Sequence, residues 1–169
     1  MVKHPLCVRY KFHGKNGVMA RENGICFICM EYVPGGTLGD LLSYYNLGHH
    51  GARFFLEQLC EVIGFLHQQS IIHGDLKPAN ILLDLHFNIK LGDFGLIRSS
   101  HADSISWTGT TAYMAPEVEL NYNNRSKNPK KVNGLKNDIF SLGVTIYEIT
   151  FGIKPFESTI NDSNYELIK

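Results

Sequence analysis

Apolar positions in the first third of the chain follow a strand-like pattern. The runs Leu6–Phe12 and Ile25–Val33 are rich in branched and aromatic side chains, and the polar, glycine-containing stretch 13–24 between them is typical of a hairpin connection. A Pro-Gly-Gly sequence at 34–36 ends the second run. The pattern therefore predicts two strands joined by a hairpin and followed by a turn.

Helical periodicity begins after this turn. Thr37 suits the N-cap of a short helix that runs through Leu41 and Leu42. A second, longer helix is expected to begin near His49 or His50. Its apolar residues repeat at helical spacing on one face, which we expect in the core: Phe55, Leu59, Val62, Ile63 and Leu66.

The pattern then changes to short β-type runs separated by polar loops that are too short to hold helices. These runs are Ile71–Ile72, Ile81–Leu83 and Ile89–Leu91. The segment Asp138–Phe151 returns to helical character and is apolar nearly all round, which predicts a helix in the middle of a domain.

A basic stretch lies before that last helix, at residues 121–137. It contains no Asp or Glu, is punctuated by Asn, Pro and Gly, and holds Arg125, Lys127, Lys130, Lys131 and Lys136. Such composition predicts a solvated loop. A docking surface for an acidic partner is the alternative interpretation.

Composition limits the class of protein. The chain has 169 residues, of which 44% are hydrophobic and 19% charged, and its 16 Lys and Arg balance 16 Asp and Glu. These values fit a soluble globular domain and exclude a disordered or collagen-like chain. The zero net charge argues against a nucleic-acid or membrane-surface partner, and no apolar run approaches the length of a membrane-spanning helix.

The four cysteines are too few and too scattered for a disulfide framework. We therefore expect free thiols and an intracellular location, in the cytoplasm or also in the nucleus. Cys26 and Cys29 form a C-x-x-C, but no second Cys or His pair stands at zinc spacing, and a strand would place the two side chains on opposite faces. No metal or redox site is expected there.

Candidate chemistry lies in the loop HGDLKPAN at 73–80, which presents Asp75, Lys77 and Asn80, and in the following Asp93. Carboxylate and amide oxygens suit Mg²⁺, which keeps substrate phosphates among its ligands, so ATP is the expected co-substrate. A carboxylate such as Asp75 can accept a nucleophile's proton while a nearby lysine offsets charge on a transferring phosphoryl group. These residues predict phosphoryl transfer.

Three motifs occur in order: HGDLKPAN at 73–80, Asp-Phe-Gly at 93–95 and Ala-Pro-Glu at 115–117. In this set the chain resembles the eukaryotic protein kinase family. The resemblance implies an α+β, protein-kinase-like fold, with 1–169 a partial kinase domain. Residues 1–33 would be the remnant of the N-terminal β-lobe and the hinge, and residues 34–169 would form most of the helical C-terminal lobe.

The resemblance also implies roles for residues. Asp75 would be the catalytic base and Lys77 would face the γ-phosphate, while Asn80 and Asp93 would be the Mg²⁺ ligands. Lys77 and Thr110 are typical of the serine/threonine branch. Thr110 would bridge Asp75 and Lys77.

The stretch MEYVPGG at 30–36 is similar to the hinge between kinase lobes. By that resemblance Met30 would be the gatekeeper, and the backbone of Glu31 and Val33 would hydrogen-bond the adenine of ATP. Leu82 would form the floor under the adenine ring.

Further positions carry structural roles in the family. His73 and Phe94 would be two layers of a stacked column, Asp138 would fix the catalytic loop, and Glu117 would anchor the substrate-binding loop. Gly74 stands where the family usually has Arg, and it has no side chain with which to pair a phosphate. We expect that phosphorylation of the activation loop cannot act by that route.

No G-x-G-x-x-G and no lysine of a V-A-I-K strand occur in the sequence. We expect these groups upstream of Met1 and the family's last helices after Lys169, so that the chain as given is inactive alone. The favoured function is a protein serine/threonine kinase that transfers the γ-phosphoryl group of Mg-ATP to Ser or Thr hydroxyls of protein substrates. The alternative is an inactive pseudokinase or truncated product that acts as a binding module or scaffold.

Overall fold

The computed structural model describes residues 3–11, 19–22, 25–100, 109–124 and 132–163. Its strands are β1 (Tyr10–Lys11), β2 (Met19–Glu22), β3 (Ile25–Met30), β4 (Ile71–Ile72), β5 (Ile81–Leu83), β6 (Ile89–Leu91) and β7 (Arg98–Ser99). Its α-helices are α1 (Leu38–Tyr44), α2 (Gly48–Gln68), α3 (Pro116–Asn124) and α4 (Gly134–Phe151). Short 3₁₀ turns lie at Pro78–Asn80, Phe94–Leu96 and Thr111–Tyr113.

The N-terminal sheet has β3 at its centre, antiparallel to both β1 and β2. The first predicted strand is shorter than expected, because Pro5 and Leu6 form a turn and Cys7 bridges Leu91 of β6 instead. The Val8 N–H donates to the Leu91 carbonyl at 2.9 Å, and the Leu91 N–H donates to the Leu6 carbonyl at 2.7 Å. β2 is an additional strand within the stretch that we predicted to be a hairpin connection.

The two helices after the sheet follow the sequence prediction closely. Thr37 caps α1 in a reciprocal arrangement, since its hydroxyl accepts the Asp40 N–H at 3.0 Å and the Asp40 carboxylate accepts the Thr37 N–H at 3.0 Å. α2 begins at Gly48, slightly before the predicted start, where the Asn46 side chain accepts the Gly48 N–H at 3.1 Å. The predicted apolar face of α2 is buried in full: Phe55, Leu59, Val62, Ile63 and Leu66.

The core forms where this face of α2 meets α4 and the short strands. Each of the three predicted β-type runs is confirmed, as β4, β5 and β6. β5 pairs with β6 as an antiparallel hairpin, and β4 pairs with β7. The other buried residues of this cluster are Cys7, Leu38, Ala52, Leu76, Ile81, Leu83, Ile89, Leu91, Leu142 and Ile149.

The predicted helix at Asp138–Phe151 is confirmed but begins earlier, at Gly134, because the Asn133 side chain caps it. α2 covers one face of α4 and a separate buried cluster around Val144 covers another, so Leu142, Val144 and Ile149 are buried. Ile139 and Phe151 of the same helix are 55% and 51% exposed.

The basic stretch 121–137 is not a loop throughout. Residues 121–124 continue α3, and residues 134–137 form the first turn of α4. Arg125, Lys127, Lys130 and Lys131 lie outside the described residues. Among the helices that are described, none is long and apolar enough to cross a membrane.

Gly35 provides a test of how tightly the segment after β3 packs on β5. The Gly35 N–H donates to the Leu83 carbonyl at 2.8 Å, and the Leu83 N–H donates to the Gly36 carbonyl at 2.9 Å. A Cβ added to Gly35 would lie 2.4 Å from the Leu83 oxygen and 2.9 Å from the Asp84 oxygen. Both contacts are with backbone, which cannot rotate away.

We therefore expect Gly35→Ala to lower the free energy of unfolding by about 1–3 kcal/mol, as overpacking does elsewhere, measured by urea denaturation. Gly64→Ala in α2 is the matched control, since its Cβ would meet nothing within 4 Å. That change should leave stability unaltered or raise it by up to about 1 kcal/mol through helix propensity. Equal stability of the two variants would contradict the packing argument.

Candidate active site

The loop between β4 and β5 is fixed from α4. Asp138, which is fully buried, accepts the His73 N–H through Oδ2 and the Gly74 N–H through Oδ1, each at 2.9 Å. His67 Nε2 lies 3.0 Å from the same Oδ2. Gly74 has φ +83°, in the left-handed region that glycine adopts without the steric cost of a Cβ. Asp138 thus sets the backbone of the residues that immediately precede Asp75.

Four groups converge on the Asp75 carboxylate. Lys77 Nζ lies 2.8 Å from Oδ2, and the Asn80 side-chain nitrogen donates to the same oxygen at 3.0 Å. Thr110 donates to Oδ1 through its N–H at 3.3 Å and its hydroxyl at 3.4 Å. The Thr110 hydroxyl also accepts a hydrogen bond from Lys77 Nζ at 2.7 Å. The contacts of Thr110 with both Asp75 and Lys77 agree with the predicted bridge.

A backbone hydrogen bond brings Asn80 close to Gly92, the residue before Asp93. The Gly92 N–H donates to the Asn80 carbonyl at 2.9 Å, and Asp93 follows with φ 52° and ψ 65°. Asp93 is exposed, and its carboxylate accepts the Gly95 N–H at 3.4 Å.

These two residues fit a hard cation. The Asn80 side-chain nitrogen donates to both the carbonyl and the carboxylate of Asp75. The side-chain oxygen of Asn80 is therefore the atom that could bind a cation. An amide oxygen and the Asp93 carboxylate are ligands that Mg²⁺ accepts, with phosphate oxygens and water completing its shell. Within the described ranges no group of three or more His, Cys, Asp or Glu side chains could hold a metal. When bound, Mg²⁺ would neutralise developing charge on phosphate oxygens.

A column of rings stands beside this loop. The His73 ring is buried, with Nε2 2.9 Å from the Gly92 carbonyl, and its centroid lies 5.5 Å from that of Phe94 in an edge-on arrangement. The Phe94 ring centroid also lies 5.9 Å from that of Tyr10, and the Tyr10 hydroxyl accepts the Phe94 N–H at 3.4 Å. Sequence reasoning found His73 and Phe94 but missed Tyr10, because an aromatic residue in a strand carries no signal of this contact.

The Glu31 side chain ties the residues after β3 to β6 and to the approach to β1. Its carboxylate accepts the Arg9 N–H at 2.8 Å and forms ion pairs with Lys90 and with the Arg9 guanidinium, each at 3.4 Å. Burial raises the pKa of this carboxyl, but the Arg9 N–H and the Lys90 charge outweigh burial and hold the pKa below its usual value. The Glu31 N–H donates to the Arg9 carbonyl at 2.8 Å, so Glu31 would offer a ligand its carbonyl oxygen.

Met30 and Val33, two other predicted hinge residues, lie on either side of Glu31 in the chain. Val33 is half-buried, and Met30 is 53% exposed among the described residues. Leu82 lies between two buried residues of β5, so its side chain is on the face opposite the core. It packs close to Gly92, since a Cβ there would lie 2.8 Å from Leu82 Cδ1. Leu82 is thus brought near the residue that precedes Asp93.

The segment that follows Thr110 is fastened to α4. The Ala115 N–H donates to the Asn137 side-chain oxygen at 3.0 Å, and the Ser141 hydroxyl donates to the Tyr113 carbonyl at 2.6 Å. The Tyr113 hydroxyl donates to Glu148 at 2.6 Å, and burial together with this carboxylate raises the pKa of Tyr113. These contacts hold the segment beside Asp75.

The two glutamates at the start of α3 differ in burial. Glu117, the predicted anchor, is exposed, whereas Glu119 is buried. The Glu119 carboxylate accepts hydrogen bonds from residues 158–160. Sequence reasoning missed Glu119, since a glutamate in the first turn of a helix is ordinarily read as a solvated residue that favours the helix dipole.

Comparison with known proteins agrees with this geometry. A family model described as protein kinase domain matches residues 2–169. CBL-interacting protein kinase 10 of Oryza sativa subsp. japonica is 37% identical over 162 residues, which cover 93% of this chain and 33% of the relative. CBL-interacting serine/threonine-protein kinase 20 of Arabidopsis thaliana is 38% identical over 161 residues, covering 92% and 34%.

Another relative is the cell cycle serine/threonine-protein kinase CDC5/MSD2 of Saccharomyces cerevisiae, which is 35% identical over 147 residues that cover 85% of this chain and 20% of the relative. The chain thus spans about a third or less of the length of these relatives. The family model nevertheless covers nearly every residue, and the fold is α+β with most of the helical lobe and a small β remnant. The chain belongs to the protein kinase domain family.

Proposed function

We propose that this chain forms part of a protein serine/threonine kinase that transfers the γ-phosphoryl group of Mg-ATP to Ser or Thr hydroxyls of protein substrates. The observation that carries the proposal is the contact of Lys77 and Thr110 with the Asp75 carboxylate, at 2.8 Å and 3.3 Å. Asp75 accepts the proton of the substrate hydroxyl, and Lys77 offsets charge on the transferred group. Thr110 holds the Asp75 and Lys77 side chains in position through its contacts with both.

The cofactors follow from the same residues. Asn80 and Asp93 are proposed to hold Mg²⁺, and the adenine of ATP is proposed to bind along Met30, Glu31 and Val33 over Leu82. Support comes from the full or partial exposure of these residues and from the position of the Leu82 side chain on the face of β5 opposite the core.

Two further proposals concern the cellular setting. The basic residues within 121–137 are proposed to dock an acidic protein partner, because they carry positive charge without any acidic neighbour in that stretch. An intracellular location, cytoplasmic or nuclear, is proposed from the scattered cysteines, of which Cys7, Cys29 and Cys60 are free.

The test is transfer of labelled γ-phosphate from Mg-ATP to a generic protein substrate by the protein at its natural length. We expect label on serine and threonine, with none on tyrosine, identified by acid hydrolysis of the product. Nucleotide binding without any transfer would contradict the proposal and favour a binding module instead. Label on tyrosine would contradict the serine/threonine assignment.

A further inference from the structure

Glu119 in α3 is a buried carboxylate outside the candidate catalytic residues, with only 1% of its surface exposed. Its Oε2 accepts the Thr159 N–H at 2.7 Å, the Thr159 hydroxyl at 2.6 Å and the Ile160 N–H at 3.3 Å. Its Oε1 accepts the Ser158 hydroxyl at 2.5 Å. One carboxylate therefore gathers three consecutive residues that follow α4.

The partners of Glu119 are all neutral. No lysine or arginine in the described part of the chain forms an ion pair with it. A buried carboxylate without a cation is costly unless donors satisfy it, and here four donors do so, three at Oε2 and one at Oε1. The contact is therefore directional, and it fixes where residues 158–160 lie relative to α3.

Residues that come just before each of the two segments that Glu119 joins meet in a second buried cluster. Phe156 packs with Ala112 and Tyr113, which directly follow Thr110, and with Val144 of α4. α4 holds residues 112–115 from one side, as described above. Glu119 holds residues 158–160, and the packing of Phe156 on Ala112 and Tyr113 joins residues 112–115 and 156–160 into one surface, called the wall below.

Ala112 and Tyr113 closely follow Thr110, which contacts the Asp75 carboxylate directly. A polypeptide bound with its hydroxyl at Asp75 would therefore meet this wall, and the position of the wall would affect how the residues next to that hydroxyl are seated. The residues proposed to bind ATP lie elsewhere, in β3, β5 and the segment between β3 and α1.

We propose that Glu119 is a positioning residue for the polypeptide substrate: it holds residues 158–160 against α3 so that the surface beside Asp75 keeps one shape. The inference rests on the proposed kinase function and extends it to polypeptide recognition. Glu119 acts through Ser158 and Thr159 and does not touch the reacting groups.

The experiment measures steady-state kinetics of Glu119→Gln in the protein at its natural length, with a serine-containing polypeptide and with ATP varied separately. The glutamine places an N–H₂ group or a single oxygen where the carboxylate accepts four hydrogen bonds, so part of the contact is lost. We expect the KM for the polypeptide to rise about tenfold, while kcat and the KM for ATP stay within about threefold of the wild type.

Variants of Thr159 change the donor to Glu119 instead of the acceptor, and they keep the test decisive if Glu119→Gln folds poorly. Thr159→Ser retains the hydroxyl and the backbone N–H, and it should keep the wild-type KM for the polypeptide. Thr159→Val has nearly the same shape but lacks the hydroxyl, and its KM should rise about threefold or more. Glu57→Gln, an exposed glutamate of α2, is the control for loss of a helical carboxylate and should match the wild type.

The outcomes separate this inference from the proposed function. Absence of transfer by the wild type overturns both. Transfer with an unchanged polypeptide KM in Glu119→Gln and Thr159→Val overturns the positioning role alone. Equal losses in kcat and in both KM values, in step with a lowered melting temperature, would also overturn it, because they would indicate a structural role.

Discussion

Asp75→Asn is expected to lower the rate of phosphoryl transfer by about a hundredfold or more, while the KM for ATP stays within a few-fold of the wild type. The reason is that Asp75 acts on the substrate hydroxyl and not on the nucleotide. Asparagine keeps the size of the side chain and can still accept from Thr110, but its amide is no base. The measurement is kcat and the KM for ATP at saturating polypeptide.

Two variants sharpen this prediction. Asp84→Asn changes a partly exposed aspartate in the turn between β5 and β6, and it should leave both constants unchanged. Asp93→Asn should instead raise the Mg²⁺ concentration needed for half-maximal activity, because it removes a charged oxygen from the proposed cation site. Equal loss of nucleotide affinity in Asp75→Asn and Asp93→Asn would contradict the separate roles.

Asp138→Ala is expected to lower the free energy of unfolding by about 2–5 kcal/mol, measured by urea denaturation. The change leaves the buried His73 N–H and the partly buried Gly74 N–H without their acceptor, and each such group costs up to about 1–3 kcal/mol. Phosphoryl transfer should fall as well, because the backbone before Asp75 loses its support.

The matched control is Asp84→Ala. Asp84 also accepts two backbone N–H groups, from His86 and Asn88, but it does so at the surface, where water can replace it. Its loss should cost less than about 1 kcal/mol. If Asp138→Ala does not fold, Asp138→Asn, which keeps one oxygen, should show an intermediate loss. A loss below about 1 kcal/mol in Asp138→Ala would contradict the argument.

Periodicity predicted those elements whose burial depends on a local pattern. The face of α2 that contains Leu59 and Val62 is buried as its spacing required, and Thr37 caps α1 because capping involves residues only three positions apart. The three short β-type runs are also correct. In each case the decisive contacts are local, or they follow from a repeating apolar face.

Features that depend on long-range contacts were not predictable. The shortened first strand results from Cys7 turning to Leu91, which is distant in the sequence. The bounds of α4 and the exposed side of that helix depend on which neighbours cover it, and periodicity alone does not identify them.

The candidate site shows the same division. Asp75, Lys77 and Thr110 were found because motifs in two separate segments carry them, and the structure brings the three together. Tyr10 and Glu119 belong to no motif in the sequence. Their contacts with Phe94 and with residues 158–160 arise only when the chain is folded.

The segment after β3 is already held in place before a ligand binds, which reduces the entropy that binding can cost. Glu31 is held by Lys90 of β6, and four residues later Gly35 is held by Leu83 of β5. Both anchors belong to one hairpin, so the backbone between them has little freedom to lose. A ligand that hydrogen-bonds this backbone meets an edge that is already ordered, and the cost of immobilising a loop, which commonly weakens binding, is small here.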